Sequence, residues 1–374
     1  MKYLDEEVKK IGFGFMRLPR NVDGLIDIES VKTMVDEFIS AGFNYFDTAW
    51  AYPGSEEAIR QALVERYPRE KYLLATKNAA WRVETRDEAI AQFETSLDRT
   101  GADYFDFYLL HNIGDSRTKK FDNFGMWSFV QEKKREGKVK HIGFSFHSTP
   151  EELEDILQKH PEMEFVQLQI NYADWENPII QSKACYEVAR RHNKPIIIME
   201  PVKGGMLARP PESIEKILKE AEPNSSCASW AIRFAASLNG VMTVLSGMND
   251  IEQVRENISL IKNFSSLSEK ELLIIDKARD EFKKIPIIPC TFCKYCTKVC
   301  PQNIDIPRSF AVMNRLILYG DKTFATSGGG RLVPMNDNKK SAGDCIKCGR
   351  CEKVCPQHIH IRDELVKVHE TFNA

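Results

Sequence analysis

The sequence predicts an α/β protein: a (β/α)8 barrel over residues 1–283, followed by a small α-helical domain over residues 284–374. Three observations carry this reading. Short apolar, β-branched or aromatic runs alternate with helical patterns about eight times before residue 283, and that length is near the roughly 250 residues usual for such a barrel. Eight of the ten cysteines fall after residue 289. Charge changes at the same place, with 14 Lys and Arg against 8 Asp and Glu from Lys284 onward, where the preceding residues carry 38 against 46. An open, doubly wound sheet is the other architecture the alternation permits.

In chain order the strand runs are IGFGFM, NYFDT, YLLATK, FDFYLLH, KHIGFSF, FVQLQIN, KPIIIME and VMTVLSG. Helical patterns separate them: IESVKTMVDEFIS, SEEAIRQALVER, the amphipathic stretch from Thr85 to Arg99, and segments around 123–136, 150–160, 179–191, 226–238 and 250–262. The Pro-spaced stretch IPIIPC marks a boundary near Phe282. Beyond it, Phe310, Met313, Ile317 and Leu318 have helical spacing, a Gly-rich turn SGGGR follows, and Ile361, Leu365, Val368 and Phe372 share one face of a last helix.

At 43% apolar content the chain is far too hydrophobic for disorder. The charged N-terminus MKYLDEEVKK lacks the apolar stretch of a secretory signal, and runs such as Ile196–Met199 are strand-sized, so a cytoplasmic protein without a membrane span is expected. A net charge of −2 supplies no chain-wide basic field for nucleic acid or acidic membranes.

Without secretion, a crowd of cysteines points to metal or redox chemistry rather than to disulfides. Cys290, Cys293, Cys296 and Cys300-Pro301 follow the pattern Cys-x-x-Cys-x-x-Cys-x-x-x-Cys-Pro, and Cys345, Cys348, Cys351 and Cys355-Pro356 repeat it. That is the bacterial two-cluster signature for a pair of [4Fe-4S] groups, in which the fourth cysteine of each run ligates the other cluster. Three thiolates on one tight turn suit three corners of an iron–sulfur cube, whereas tetrahedral zinc usually takes separated pairs. The tail therefore reads as a helical ferredoxin-like module. Its surplus cations offset anionic clusters or form a docking patch for an acidic electron carrier.

In a barrel, chemistry belongs at the C-terminal ends of the strands. Asp47, Lys77 and His111 stand at the ends of the second, third and fourth strands, and Tyr52 follows in the loop DTAWAYPGSE. Singly, such residues are often a helix cap, a solvated head group and a satisfied core histidine. Together they suit acid catalysis: a phenol is a poor acid at neutral pH unless a cation lies beside it, Lys77 supplies that cation, and Asp47 holds the ammonium. Tyr52 would then protonate a carbonyl oxygen as hydride reaches carbon, with His111 orienting that oxygen.

With its motifs GFGFMRLP, DTAWAY, ATK and LLH, the sequence resembles the aldo-keto reductase family over residues 5–263. The tail, with IPCTFCKYC and CEKVCPQHI, resembles the ferredoxin-type extension of a microbial branch of that family. The resemblance implies an Asp47–Tyr52–Lys77–His111 tetrad and a nicotinamide cofactor across the barrel mouth. Gln167 matches the family's carboxamide-binding Gln, and Ser145 the Ser of its Ser-Asn pair, whose Asn is replaced by Phe146. Met199 stands where the family has a ring-stacking Tyr; a thioether still contacts a ring, less specifically. Gly247, Met248, Asn249 and Gln253 fall where the family often has the basic clamp for a 2′-phosphate, while Glu256 and Asn257 are kept. The loop Lys203-Gly204-Gly205 could bring backbone amides to a diphosphate, or be a simple turn. These departures leave open the choice among NADH, NADPH and a flavin.

Hydride carries two electrons and each cubane cluster passes one, so three functions follow. The chain is a carbonyl reductase with structural or regulatory clusters, a flavin-containing reductase linked to a ferredoxin or flavodoxin-type carrier, or an electron-transfer and redox-sensing module. The full tetrad favours an oxidoreductase acting on a small-molecule substrate. Loops around Trp50, Trp81 and 113–124 would choose that substrate, and Trp81 and Trp127 are either pocket walls or helix covers.

Overall fold

The computed structural model describes residues 2–178, 180–319 and 340–373. It divides into two compact units, one of Met1–Glu176, Gln181–Pro201 and Ala231–Ser268, the other of Asn177–Ile180, Val202–Trp230 and Glu269–Ala374.

The first unit is a closed barrel of eight parallel strands: β1 (Ile11–Gly14), β2 (Tyr45–Asp47), β3 (Leu73–Asn78), β4 (Phe105–Ile113), β5 (Val139–Phe146), β6 (Phe165–Gln169), β7 (Ile196–Met199) and β8 (Val241–Ser246). All eight predicted strands are present. Pairing of Val244 with Ile11 closes β8 onto β1, which rules out the open doubly wound sheet. Side chains alternate between the interior and the helical layer. Tyr45, Leu73, Ala75, Phe107, Leu109, Phe165, Ile197 and Leu245 pack together as one buried cluster. Room for them comes from close backbone approach: a Cβ on Gly143 would lie 2.5 Å from the Phe165 carbonyl oxygen. An N-terminal hairpin pairs Lys2–Tyr3 with Glu6–Glu7, and Val8, Tyr3 and Leu4 pack against the same cluster. The Tyr3 hydroxyl and the Lys10 ammonium both donate to the Val241 carbonyl, at 3.1 and 2.7 Å.

Helices start where short polar side chains satisfy the first free N–H groups. Asp27 caps Ile28–Ser40, Thr85 and Glu88 form a reciprocal capping box on Arg86–Thr100, Thr149 caps Pro150–Lys159, and Asp250 caps Ile251–Lys262. The run SEEAIRQALVER is helical but changes pitch, from an α-helix at Ser55–Ile59 to a π turn at Arg60–Val64. Helices Met126–Arg135, Ser182–Arg191 and Cys227–Ser237 match the remaining predicted segments. Residues 113–124, read as a loop, instead contain the short helices Asp115–Arg117 and Thr118–Asn123. Trp127 is a helix cover: its ring stacks on His160 at 3.9 Å and its Nε1 donates to Asp122 at 2.7 Å.

In the second unit, helices Glu212–Ala221 and Glu269–Lys283, which the strand–helix count did not include, pack on each other. Further along are Tyr295–Val299, Ile306–Tyr319, Arg350–Lys353 and Ile361–Asn373. Ile304, Ile306, Phe310, Ile359, Ile361, Leu365 and Val368 form their small core, together with the buried Cys296, Cys351 and Cys355. The Asn314 carboxamide fastens the entry segment, accepting from the Ile288 N–H at 2.8 Å and donating to its carbonyl at 2.7 Å. The tail is helical as predicted, and SGGGR lies outside the described residues.

Candidate functional site

The inner-facing positions of the strands place the candidate residues in one layer. Two residues beyond the core side chains Tyr45, Ala75, Leu109, Phe165 and Ile197 come Asp47, Lys77, His111, Gln167 and Met199. Ser145 joins the layer from β5 as the register partner of Gln167.

Lys77 is fully buried, and its Nζ donates to Asp47 Oδ1 at 2.5 Å and to the Thr48 carbonyl at 2.7 Å. Burial pushes the Asp47 carboxyl up against the pull of Lys77, and pushes the Lys77 ammonium down against Asp47 and Glu56. Contact between the two opposes the effect of burial on both groups. The half-buried Tyr52 sits beside them, its ring centroid 5.1 Å from Lys77 Nζ. His111 meets the Tyr52 ring edge-on, with centroids 5.6 Å apart, and the Trp81 ring centroid lies 6.3 Å from that of His111. Burial pushes the imidazole well below its ordinary value, and the cations Lys77, Arg82 and Arg117 add to this, so His111 is neutral at physiological pH. All four tetrad residues are thus brought together.

The remaining candidates divide. Gln167 is buried, and its Oε1 has no hydrogen-bond partner in the protein. Ser145 Oγ accepts from the Asn112 N–H at 2.8 Å. Asn257 is buried and donates to Ser246 Oγ at 3.0 Å. The Gln253 carboxamide is engaged locally, donating to Asn249 Oδ1 and Asp250 Oδ2, each at 2.8 Å. Gly247 lies beside Arg17, whose Cβ would be 3.7 Å from an added methyl group. Gly204 belongs to the second unit, where its left-handed φ of +66° and the Thr291 backbone, 2.9 Å from the site of a Cβ, explain the glycine without a phosphate.

Sequence reasoning missed three residues. Arg17 forms an ion pair with Glu200 at 2.7 Å at the mouth of the barrel, across strands β1 and β7. Arg117 is buried, and its Nε donates to the Asn112 carbonyl at 2.9 Å. Asn112 itself is fully buried next to His111. The motif GFGFMR held a signal for Arg17, a cation directly after an apolar strand; Asn112 carried none, because it depends on a local break in strand register.

The cysteines gather in two crossed sets. Burial pushes the Cys296 thiol up, and its neighbours Cys293, Cys290 and Cys355 add to this, which places the last cysteine of the second run with the first three of the first. Conversely, Cys300 lines one cavity together with Cys345, Cys348 and Cys351, backed by Ile304 and Leu365. Among the described residues no three His, Cys, Asp or Glu side chains close on a single metal ion. Four sulfurs around a cavity are the donor set for a multi-atom group. Cys348 is exposed, whereas Cys351 and Cys355 are buried. The two other cysteines, Cys185 and Cys227, are buried as well.

A closed parallel barrel with a buried Lys–Asp pair, a tyrosine and a neutral histidine at the strand ends defines an α/β-barrel oxidoreductase. A model of the aldo/keto reductase family matches residues 10–280, and the chain belongs to that family. A 4Fe-4S dicluster domain matches residues 289–360. The chain is 24% identical to the uncharacterized oxidoreductase YqkF of Bacillus subtilis, over 72% of this chain and 92% of the relative. It is 28% identical to the 9,11-endoperoxide prostaglandin H2 reductase of Trypanosoma cruzi, over 65% of this chain and 80% of the relative. In fold it is similar to a holo aldo-keto reductase of Bacillus halodurans, with TM-score 0.58, 24% identity and coverage of 73% and 93% of the two chains. It is similar also to an aldo-keto reductase of Klebsiella pneumoniae in complex with NADPH, with TM-score 0.59, 22% identity and coverage of 72% and 90%. None of the described helices is long and apolar enough to cross a membrane.

Proposed function

We propose that the barrel, residues 1–283, reduces an aldehyde or ketone with NAD(P)H, and that residues 284–374 hold two [4Fe-4S] clusters for electron transfer. The observation that carries the first half is the buried Lys77–Asp47 contact directly beside the Tyr52 ring, in the same layer as a neutral His111. A bound nicotinamide supplies the hydride. Tyr52 donates its phenolic proton to the carbonyl oxygen as that oxygen gains charge. Lys77 stands where it stabilises the charge left on the phenol, and Asp47 keeps the ammonium from deprotonating in its buried setting. His111, neutral, orients the oxygen by donating a hydrogen bond without competing for the proton. The unpaired Gln167 Oε1 beside Ser145 suits the amide of a nicotinamide ring, and the Klebsiella pneumoniae relative in complex with NADPH supports that cofactor.

Cys290, Cys293, Cys296 and Cys355 would hold one cluster, and Cys300, Cys345, Cys348 and Cys351 the other; each cluster passes single electrons. Exposure of Cys348, with Ile346 59% exposed beside it, puts the second set at the surface, where a ferredoxin or flavodoxin-type carrier can approach. Reduced thiols of this kind fit a cytoplasmic setting.

The test is Tyr52→Phe, purified without oxygen and assayed on a panel of aldehydes and ketones with both nicotinamide cofactors. Turnover falls by about 10²–10⁴-fold, with melting temperature and iron content unchanged. Retained turnover would remove Tyr52 as the acid.

A further inference from the structure

Strand β4 breaks register at its C-terminal end. Leu110 pairs with Phe144 of β5 and the next pair is Ile113 with Phe146, so His111 and Asn112 share the space opposite Ser145. Such a bulge re-aims a side chain and is common beside active sites. Asn112 takes φ +63°, a left-handed conformation that Asn tolerates better than most residues. Its backbone is satisfied, since the N–H donates to Ser145 Oγ at 2.8 Å and the carbonyl accepts from Arg117 Nε at 2.9 Å. Its side chain is not: Asn112 is fully buried, and neither Oδ1 nor Nδ2 has a partner in the protein. Two strands on, in β6, Gln167 is 2% exposed and its Oε1 is unpaired too. Ser145 stands between them, bonded to Asn112 and in register with Gln167.

Buried polar atoms without partners are costly and call for a ligand or ordered water. The unpaired set here is specific: two acceptors, Asn112 Oδ1 and Gln167 Oε1, and one donor group, Asn112 Nδ2. A primary carboxamide carries the complementary set, an NH2 with two hydrogens and one carbonyl oxygen. A simple aldehyde or ketone offers only acceptors and would leave both oxygens unpaired. We propose that Asn112 binds the carboxamide of a nicotinamide ring, Oδ1 accepting from its NH2 and Nδ2 donating to its carbonyl, with Gln167 Oε1 accepting the second hydrogen. This rests on the nicotinamide reading above, and it makes Asn112 a binding residue for the cofactor rather than a mere filler of the bulge.

Asn112→Gly tests it, because glycine adopts the left-handed backbone without strain and removes only the side chain. The cluster-loaded protein is titrated without oxygen, following tryptophan fluorescence, with NADH, NADPH, ADP-ribose and 2′-phospho-ADP-ribose; the last two lack the nicotinamide. Expected is a 10- to 100-fold weaker grip, of the order of two lost hydrogen bonds, on whichever of NADH and NADPH the wild type binds. Affinity for the matching ADP-ribose compound stays within about twofold. Asn112→Asp, which keeps the shape but replaces the donor by an acceptor, behaves likewise and guards against a folding artefact. If the wild type binds neither dinucleotide, the nicotinamide reading falls and takes this proposal with it. If the wild type binds one and Asn112→Gly keeps full affinity, water satisfies Asn112 and the proposal alone falls. An equal loss for the ADP-ribose compounds also overturns it.

Discussion

Lys77 Nζ lies 2.5 Å from Asp47 Oδ1, and neither residue has appreciable contact with solvent. Opposite charges so placed depend on each other, because either one alone would face the full cost of burial. They differ from the surface pairs of this chain, such as Lys159 with Asp155, whose partners are more than half exposed and whose contribution is small.

Asp47→Asn is therefore expected to do two things. It leaves the ammonium with neutral hydrogen-bond partners only, lowering stability by about 3–5 kcal/mol, and it lets Lys77 lose its proton more readily, cutting carbonyl turnover by about 100-fold or more. Chemical denaturation and steady-state kinetics on the same preparation check both. A variant with wild-type stability and turnover would show that the pair does not govern the site.

The eight strands were legible because each is a run of apolar residues between helical patterns. Asp47, Lys77 and His111 stood out because a polar side chain ending such a run must face something other than core. Register breaks are different: no composition signal separates Asn112, in a bulge, from an ordinary strand residue, and only the shift between Leu110 and Ile113 reveals it. Glycines were ambiguous for a related reason. Gly204 reads in sequence as either a phosphate loop or a simple turn, and the Thr291 backbone, close to it only in the folded chain, already requires a residue without a side chain. Helix Glu212–Ala221 carries a clear period, with Ile214, Ile217, Leu218 and Ala221 at i, i+3, i+4 and i+7, and escaped because it is an extra helix between the seventh and eighth strands, outside the eight strand–helix units.

His111 should not titrate across the working range. Burial first, then Lys77, Arg82, His147 and Arg117, push it well below 6.5, so the rate profile lacks a histidine limb near that pH and its ring signals stay fixed between pH 6.5 and 8 in NMR. The effect on stability has a definite sign. The unfolded chain takes up a proton at this position as pH falls through about 6.5 while the folded chain does not, so the contribution is complete above that pH and is lost below it. His111→Gln would flatten that part of the stability profile. A folded-state imidazole titrating near 6.5 would contradict the assignment.

Glu164 supplies a separate acid dependence on the barrel wall. Burial pushes it up, but His141, the Lys134 ammonium at 2.5 Å and the Ile142 N–H at 3.0 Å outweigh this and bring it to about 2. A depressed folded value gives stability that is present above the ordinary carboxyl range, near 4.5, and is lost as pH falls from there toward about 2. Glu164→Gln should lower stability at pH 7 by about 1–3 kcal/mol and reduce the acid loss in that window. Denaturant melts at several pH values measure both, and an unchanged pH profile would rule the network out as its source.

Crossed cysteine sets predict the iron content of paired variants. Cys290 and Cys355 lie in one set, so Cys290→Ser with Cys355→Ser should spare the other set and retain about half of the iron and sulfide, given two clusters per chain. Cys290→Ser with Cys300→Ser strikes both sets and should leave neither intact. The reverse pattern would mean that each run serves itself.

That interleaving has a consequence for how the protein is made. Neither run contains the means to finish its own half, so a chain that has emerged only as far as Cys300 holds three useful sulfurs and one intended for elsewhere. Filling of either set would therefore wait until the second run has been made, so delivery of iron and sulfide would come late in biogenesis.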